Sequence, residues 1–380
     1  MESESSVPRR LRGRIIYFLI IFPTILLAVN LLVCATWNFF WKTPHFLLWL
    51  AVSSALTLAF TATTVLGIRF TSAGLRVAYR ISALWLGVLS NCFFAAGAAW
   101  IISTVAGLLS IHVEPRLIAT ICFGTALIAS VYGFGNACTL RVTRLTVKLP
   151  NLPANWHGRS VAFVSDMHLG NVWRAGSARR VVAKLLQLSC EAIFIGGDLF
   201  DGPKVDLDEP LEAWKQAAAT KRIFYITGNH EEFTGREKYL DAVARAGIRI
   251  LNNEKVEIDG LQLVGIHDRE AHAPKAYRAL LQHAGLDRNR ASILLLHQPV
   301  NMPITAEEGI SLQLSGHTHG GQFWPWIYFA RRVHGPFVYG LNRFDSLQVY
   351  TSYGAGTWGA PMRLGTKSEI VLLRLETAAP

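Results

Sequence analysis

Four long apolar segments, at about 15–36, 46–68, 81–111 and 117–140, contain no Asp, Glu, Lys or Arg. Each reaches the roughly 20 residues that a helix needs to cross a ~30 Å hydrocarbon core. The first part of the chain is therefore expected to be a bundle of four spanning helices. The first segment is too long for a signal peptide, lacks a small-residue cleavage site, and is followed by further spans. Uncharged spans lack the ionisable residue at membrane depth that marks a transport path, which argues against a transporter. Ala95, Ala96 and Gly97 in the third segment suit close helix packing.

The formal net charge of +11 is distributed unevenly. Arg9, Arg10, Arg12 and Arg14 precede the first span, Arg69, Arg76 and Arg80 lie between the second and third, and Arg141, Arg144 and Lys148 follow the fourth. The alternate connections carry only Lys42 and Arg116. The excess of positive charge on one side predicts that both chain ends and the region after the spans are cytoplasmic, at the inner membrane of a cell. Trp37, Trp41 and Trp49 lie near span ends, as an interfacial aromatic belt would. The five cysteines show no metal-ligand or disulfide spacing, so they do not report the redox compartment.

A polar link near Leu149–His157 divides the chain into a membrane domain, 1–148, and a second domain, 149–380. Apolar strand patterns at 160–165, 192–196, 222–227, 292–296 and 312–315 alternate with helical patterns at 177–188, 211–219, 237–246 and 274–283. Shorter strands are predicted at 248–251, 254–258 and 261–266. Strand, helix, strand in turn implies a layered α/β domain with functional groups in loops past the strand ends. The β-rich tail, 337–340, 346–351 and 369–375, suggests a second sheet beside the first.

Each of five strand patterns ends in a polar cluster. Asp166 and His168 follow the first, Asp198 and Asp201 the second, and Asn229 and His230 the third. His297 follows the strand at 292–296, and His317 and His319 the strand at 312–315. Carboxylates, an amide and imidazoles without thiolate suit hard-to-borderline divalent ions such as Mn, Fe or Zn. The donors Asp166, His168, Asp198, Asn229, His297, His317 and His319 are enough for two ions sharing a bridging carboxylate. Asp-x-His and His-x-His place both side chains on one side of an extended segment. A water between two cations is acidified enough to attack phosphorus near neutral pH. No Ser or Cys nucleophile motif is present.

These clusters resemble the calcineurin-like metallophosphoesterase family, whose pattern runs D-x-H, G-D-x-x-D, G-N-H-D/E, H and G-H-x-H. The resemblance covers roughly 149–380, including the late stretch 354–365, and is nearest the membrane-anchored branch of YkuE-type and transmembrane-domain-containing metallophosphoesterases. Glu231 stands where many members have Asp. The resemblance implies a layered β-sandwich flanked by helices and two divalent metal ions (Mn, Zn or Fe). It gives one ion to Asp166, His168 and His319, the other to Asn229, His297 and His317, with Asp198 between them. His230 is implied as general acid or phosphoryl clamp, and Asp201 as a residue that orients backbone rather than metal. It also implies a phosphorylated, lipid-linked substrate, including a UDP-diacylglucosamine-like compound, with membrane lipids as further partners.

Some features stay open at this level. His267, after a strand, is either a site residue or a satisfied buried histidine. His334 is undecided, and His272 and His283 read as surface residues. The aromatic and then basic stretch from Phe323 to Arg332 is either ordinary core or a lip that dips into a membrane interface, with Arg331 and Arg332 near anionic head groups. A sensor or scaffold that binds a phosphorylated ligand without turnover is the alternative to an enzyme. A nuclease is disfavoured because no basic run with interleaved aromatics forms a strand track outside 323–332. Oligomeric state is not readable.

Overall fold

The computed structural model describes residues 17–202, 205–233 and 235–378. Arg9, Arg10, Arg12 and Arg14, and the first two residues of the first apolar segment, lie outside the described residues. The chain forms two compact units, Met1–Tyr132 and Gly133–Pro380.

The first unit is built from helices Phe22–Trp41, Phe46–Arg69 and Ala73–Leu108 and most of a fourth, Pro115–Cys138. All four are long and apolar enough to cross a membrane. Side-chain hydrogen bonds join them. Asn30 donates to Ser53 at 3.1 Å, Trp85 to Thr57 at 2.9 Å, Trp100 to Thr36 at 3.0 Å and Asn91 to Ser130 at 2.9 Å. Ala95 and Ala96 are buried against Val33, Ala119 and Phe123, so small residues do bring helices close, whereas Gly97 faces outward. The third helix begins earlier than its apolar core. Ser72 caps it by accepting from the Leu75 amide, which places Arg76 and Arg80 in its first turns rather than in a loop.

Among the described residues, the second unit contains twelve strands: β1 (Leu140–Leu149), β2 (Ser160–Val164), β3 (Ala192–Gly196), β4 (Arg222–Ile226), β5 (Arg249–Ile250), β6 (Glu254–Ile258), β7 (Leu261–Ile266), β8 (Ser292–Leu296), β9 (Leu312–Ser315), β10 (Gly340–Phe344), β11 (Leu347–Thr351) and β12 (Ser368–Thr377). One sheet runs β1-β12-β2-β3-β4-β5 and the other β10-β11-β9-β8-β7-β6. β2, β3 and β4 are mutually parallel, as are β7, β8 and β9, so their C-terminal ends point the same way within each sheet.

Side-chain alternation divides the core. Val161, Phe163, Phe194 and Phe224 meet Leu263, Ile293, Leu295 and Leu314 between the sheets. Ala162, Val164, Ile193 and Ile195 turn the other way, onto helices Ala175–Leu186 and Asp208–Ala218. Val264, Leu294 and Val349 pack on helix Pro274–His283 and Met302. The strands read as continuous apolar runs because both faces are covered. The result is an α/β domain of two mixed sheets flanked by helices.

One local expectation fails. Gly335–Val338 is a 3-10 turn, and the strand expected at 337–340 instead starts at Gly340. Gly335 and Gly340 both have positive φ, which breaks extended backbone before and after the turn. The link expected from Leu149 is preceded by β1, whose ten residues pair with β12 from Leu140↔Ser368 to Leu149↔Thr377. Its arginines and lysine are edge-strand side chains pointing to solvent.

Candidate metal centre

The five polar clusters converge. Asp166 and His168 leave the end of β2, Asp198 leaves β3, Asn229 and His230 follow β4, His297 follows β8, and His317 and His319 follow β9. Neighbouring loops are stitched by backbone. The Asp166 amide donates to the Gly197 carbonyl and the His168 amide to the Asp198 carbonyl, both at 3.0 Å. The His317 amide donates to the Asp166 carboxylate at 2.9 Å, which ties the two sheets together at the site.

The loops turn sharply. Asp166, His168, Asp198, His317 and His319 all have φ between +48° and +69°. Left-handed backbone at non-glycine residues costs of order 1 kcal/mol or more apiece and persists only where the surroundings impose it. Gly228 and Gly316 allow that crowding, since a Cβ at either would overlap the carboxylate of Asp198 or Asp166.

Three overlapping triplets have donor atoms close enough to share an ion: Asp166/His168/His319, His168/Asp198/His230 and Asp198/His297/His317. His168 Nε2 and His319 Nε2 face each other at 3.0 Å, and His319 Nε2 lies 3.6 Å from Asp166 Oδ1. Asp198 Oδ2 lies 3.2 Å from His297 Nε2, 3.8 Å from His168 Nε2 and 4.0 Å from His230 Nε2. His317 Nδ1 and Asn229 Oδ1 are 2.8 Å apart. His297 points its other nitrogen at the Gly196 carbonyl, which fixes the ring, while its buried Nε2 makes no hydrogen bond. An orphaned buried imidazole nitrogen beside a carboxylate, and two imidazole nitrogens in direct contact, fit a site built for cations.

The electrostatics run the same way for three of the imidazoles. Burial pushes His168 down to about 4, helped by the charge of His230, and pushes His317 down to about 3, helped by His297. Burial, then His168 and Arg363, holds His319 well below the ordinary imidazole range. These three rings are free bases at neutral pH, the form that binds metal. Burial alone would raise Asp198, yet His297 and His230 hold it well below the carboxylate range. Burial raises Asp166 to about 6.

His230 differs from its neighbours. Burial opposes its charge, but Asp198 and Asp201 outweigh burial and raise it to about 9. Its Nδ1 lies 2.8 Å from Asp201 Oδ1, so Nδ1–H donates to that carboxylate and Nε2 is left to face the centre. The Asp201 main-chain amide donates to the Leu169 carbonyl, while its carboxylate orients this ring. Phe233 and Trp358 flank His230 with ring centroids 6.1 and 6.2 Å away, and both are largely exposed.

Three residues beneath the centre have roles that the sequence reading did not assign. Glu231 accepts backbone amides of Asp198, Phe200 and Gly228 at 2.8–3.1 Å and so fastens two site loops together. Arg363, fully buried, contacts His319 Nδ1 at 3.2 Å and donates to the carbonyls of Tyr353 and Gly356. Gln322 bonds Trp358 through both its amide oxygen and nitrogen and holds that loop in place. Glu231 was legible as part of its cluster, but no local signal marks Arg363. His267 is buried outside the donor set: its Nδ1 accepts from the Thr227 amide, behind the Asn229 loop, and its Nε2 makes no hydrogen bond. His334 ends a helix 6.1 Å from the His317 ring.

Comparison with known proteins agrees with this geometry. Residues 159–321 match the calcineurin-like phosphoesterase family. A metallophosphoesterase of Helicobacter pylori strain J99 is 33% identical over 57% of this chain and 59% of its own length. One of Campylobacter jejuni is 31% identical over 63% of this chain and 64% of its own. The Danio rerio transmembrane protein with metallophosphoesterase domain is 32% identical over 67% of this chain and 61% of its own length. The chain thus spans about three-fifths of the length of these relatives. The matched stretch takes in all five strand-end clusters. The chain carries a calcineurin-like metallophosphoesterase domain.

Proposed function

We propose that the protein hydrolyses a phosphoester or pyrophosphate bond at this centre, with two divalent ions (Mn, Zn or Fe). The observation that carries the reading is the convergence of seven oxygen and nitrogen donors, without thiolate, around the shared carboxylate of Asp198. Asp166, His168 and His319 would hold one ion, Asn229, His297 and His317 the other, and Asp198 both. When bound, such a pair supplies charge neutralisation at the phosphoryl group and an acidified water.

The chain's own residues supply the rest. His230, charged at neutral pH, presents Nε2–H toward the centre and gives its proton to the leaving oxygen. Asp201 fixes the ring's tautomer and stabilises its charge. Glu231 and the tight glycine loops hold the donors in place before substrate arrives. The exposed rings of Phe233 and Trp358 beside His230 offer an apolar bed for the leaving group. Together with four helices fit to cross a membrane, they support a membrane-associated, lipid-linked phosphate as substrate, a class that includes acylated sugar nucleotides. The arginine distribution supports a cytoplasmic site at an inner membrane.

The test is hydrolysis of p-nitrophenyl phosphate, bis-p-nitrophenyl phosphate and a vesicle-borne phospholipid ester by the full chain with added Mn. Metal-dependent turnover that disappears in Asp198→Asn sustains the reading, and preference for the vesicle substrate sustains its lipid part. Bound metal without turnover of any of the three overturns it in favour of a ligand-binding domain.

A further inference from the structure

Helix Trp326–His334 carries Trp326, Phe329, Ala330 and Val333 at i, i+3, i+4 and i+7, the spacing of an apolar stripe that normally packs inward. Here the stripe faces out. Trp326 is 41%, Phe329 61% and Val333 76% exposed, and no residue of the helix is buried. Trp324 and Leu341 add exposed apolar surface on either side in sequence. Trp326 and Phe329 are in ring contact at 5.3 Å, so the stripe presents a continuous aromatic surface.

The helix is seated by its other side. The backbone of Ile327 packs so closely on Gly321, two residues past His319, that a Cβ there would collide with it. His334, at the far end, lies against His317. The helix thus rests on the rim of the metal centre at both ends while its apolar stripe stays largely exposed.

Its charge indicates what covers the stripe. Arg331 and Arg332 are exposed on the helix and Arg343 on β10. No acidic residue occurs between Glu308 and Asp345. An exposed aromatic stripe in a stretch of sequence charged only by arginine complements an anionic bilayer surface, where rings sit among the acyl chains and guanidinium groups meet phosphates. Four helices fit to span a membrane keep a bilayer within reach of the domain.

We propose that helix Trp326–His334 is an interfacial helix that inserts its Trp326/Phe329/Val333 stripe into an anionic membrane surface at the rim of the catalytic site. The inference deepens the membrane-substrate reading and rests on it for its purpose, since a site beside an inserted helix receives phosphate esters held at head-group depth.

The experiment reads contact, not turnover. The full chain is reconstituted in nanodiscs of phosphatidylcholine alone or with phosphatidylglycerol, each doped with a diazirine-tagged phospholipid, irradiated, and mapped by peptide mass spectrometry. Labels are expected on Trp326, Phe329 and Val333, increased by phosphatidylglycerol and reduced about fivefold for each arginine replaced in Arg331→Gln and Arg332→Gln. Phe329→Asp with Val333→Asp should abolish labelling at the stripe while labels on the four apolar helices stay unchanged. The melting temperature should hold, because the replaced side chains are exposed. Absence of label at the stripe in the wild-type protein overturns the proposal. That result does not touch the phosphoesterase reading, which the aryl phosphate assays decide separately.

Discussion

Asp198 and Glu369 are both buried carboxylates in the same domain, and their surroundings could hardly differ more. Glu369 is satisfied by the protein itself. It accepts from the Tyr353 amide at 3.0 Å, the Ser352 hydroxyl at 3.2 Å and the Tyr350 hydroxyl at 3.4 Å, and it meets Thr143 and Lys367 on its other oxygen. Asp198 takes one amide, from His230, and turns its other oxygen to three imidazoles, two of them beyond hydrogen-bond length. A carboxylate that holds a fold together gathers donors until none is missing. One that would serve a cation is ringed instead by imidazoles that can ligate the same ion, most of them beyond hydrogen-bond length from it.

The strongest way to break that contrast is to neutralise each in turn. Asp198→Asn should lower phosphatase activity by about 10³-fold or more and strip bound metal, measured by elemental mass spectrometry, with the fold retained. If the Asp198→Asn protein keeps both metal and activity, the two carboxylates are not different in kind. His230→Ala sharpens the picture by separating proton transfer from metal holding. Turnover of p-nitrophenyl phosphate should fall by about 10²- to 10⁴-fold while metal content stays at the wild-type value. Metal lost together with activity would place His230 among the ligands, as the triplet with His168 and Asp198 allows.

Glu369→Ala addresses the other side. Removing it orphans several buried donors and should cost about 3 kcal/mol of stability in a denaturant titration, leaving metal stoichiometry of the folded protein intact. Metal loss ahead of unfolding would show the knot to be part of the site.

The smallest effect is a pH dependence in chelator-treated protein. The folded pKa of His230 is raised to about 9 from an ordinary 6.5. The stabilisation from its charged form is therefore complete below about pH 6.5 and disappears as pH rises through 9. The melting temperature of the metal-free protein should decline across that window, and Asp201→Asn should flatten the decline. Equal slopes in both proteins would remove Asp201 as the partner.

Much of the site was legible because each donor lies beside glycine just past an apolar strand, or directly after one, so local pattern and chemistry coincide at Asp166, Asp198, Asn229, His297 and His317. Arg363 was hidden because what matters about it is tertiary: it reaches His319 across 44 residues of sequence. The pairing of Asp201 with His230 was hidden for the same reason, the two lying on separate loops. The strand β1 was missed because its charges were accounted for by membrane topology, although its even-spaced Leu145, Val147 and Leu149 carry a strand period. The periodicity of 326–333 was visible, but period reveals that a face is apolar and not what lies against it. The same spacing at Ala178, Val181, Val182 and Leu185 is buried in the domain core.

The sheet order β1-β12-β2 has a consequence for how the protein is made. The two earliest described strands, β1 and β2, are not neighbours, because β12 lies between them. β1 has β12 as its sole partner among the described strands, and β2 meets β12 on one side, so neither is complete until the final ten-residue strand has been synthesised. Such a closure between distant parts of a chain is slow, and the open edges invite pairing with other chains while it waits. This sheet is therefore closed by a strand from the far end of the described residues, which bolts β1 to β2.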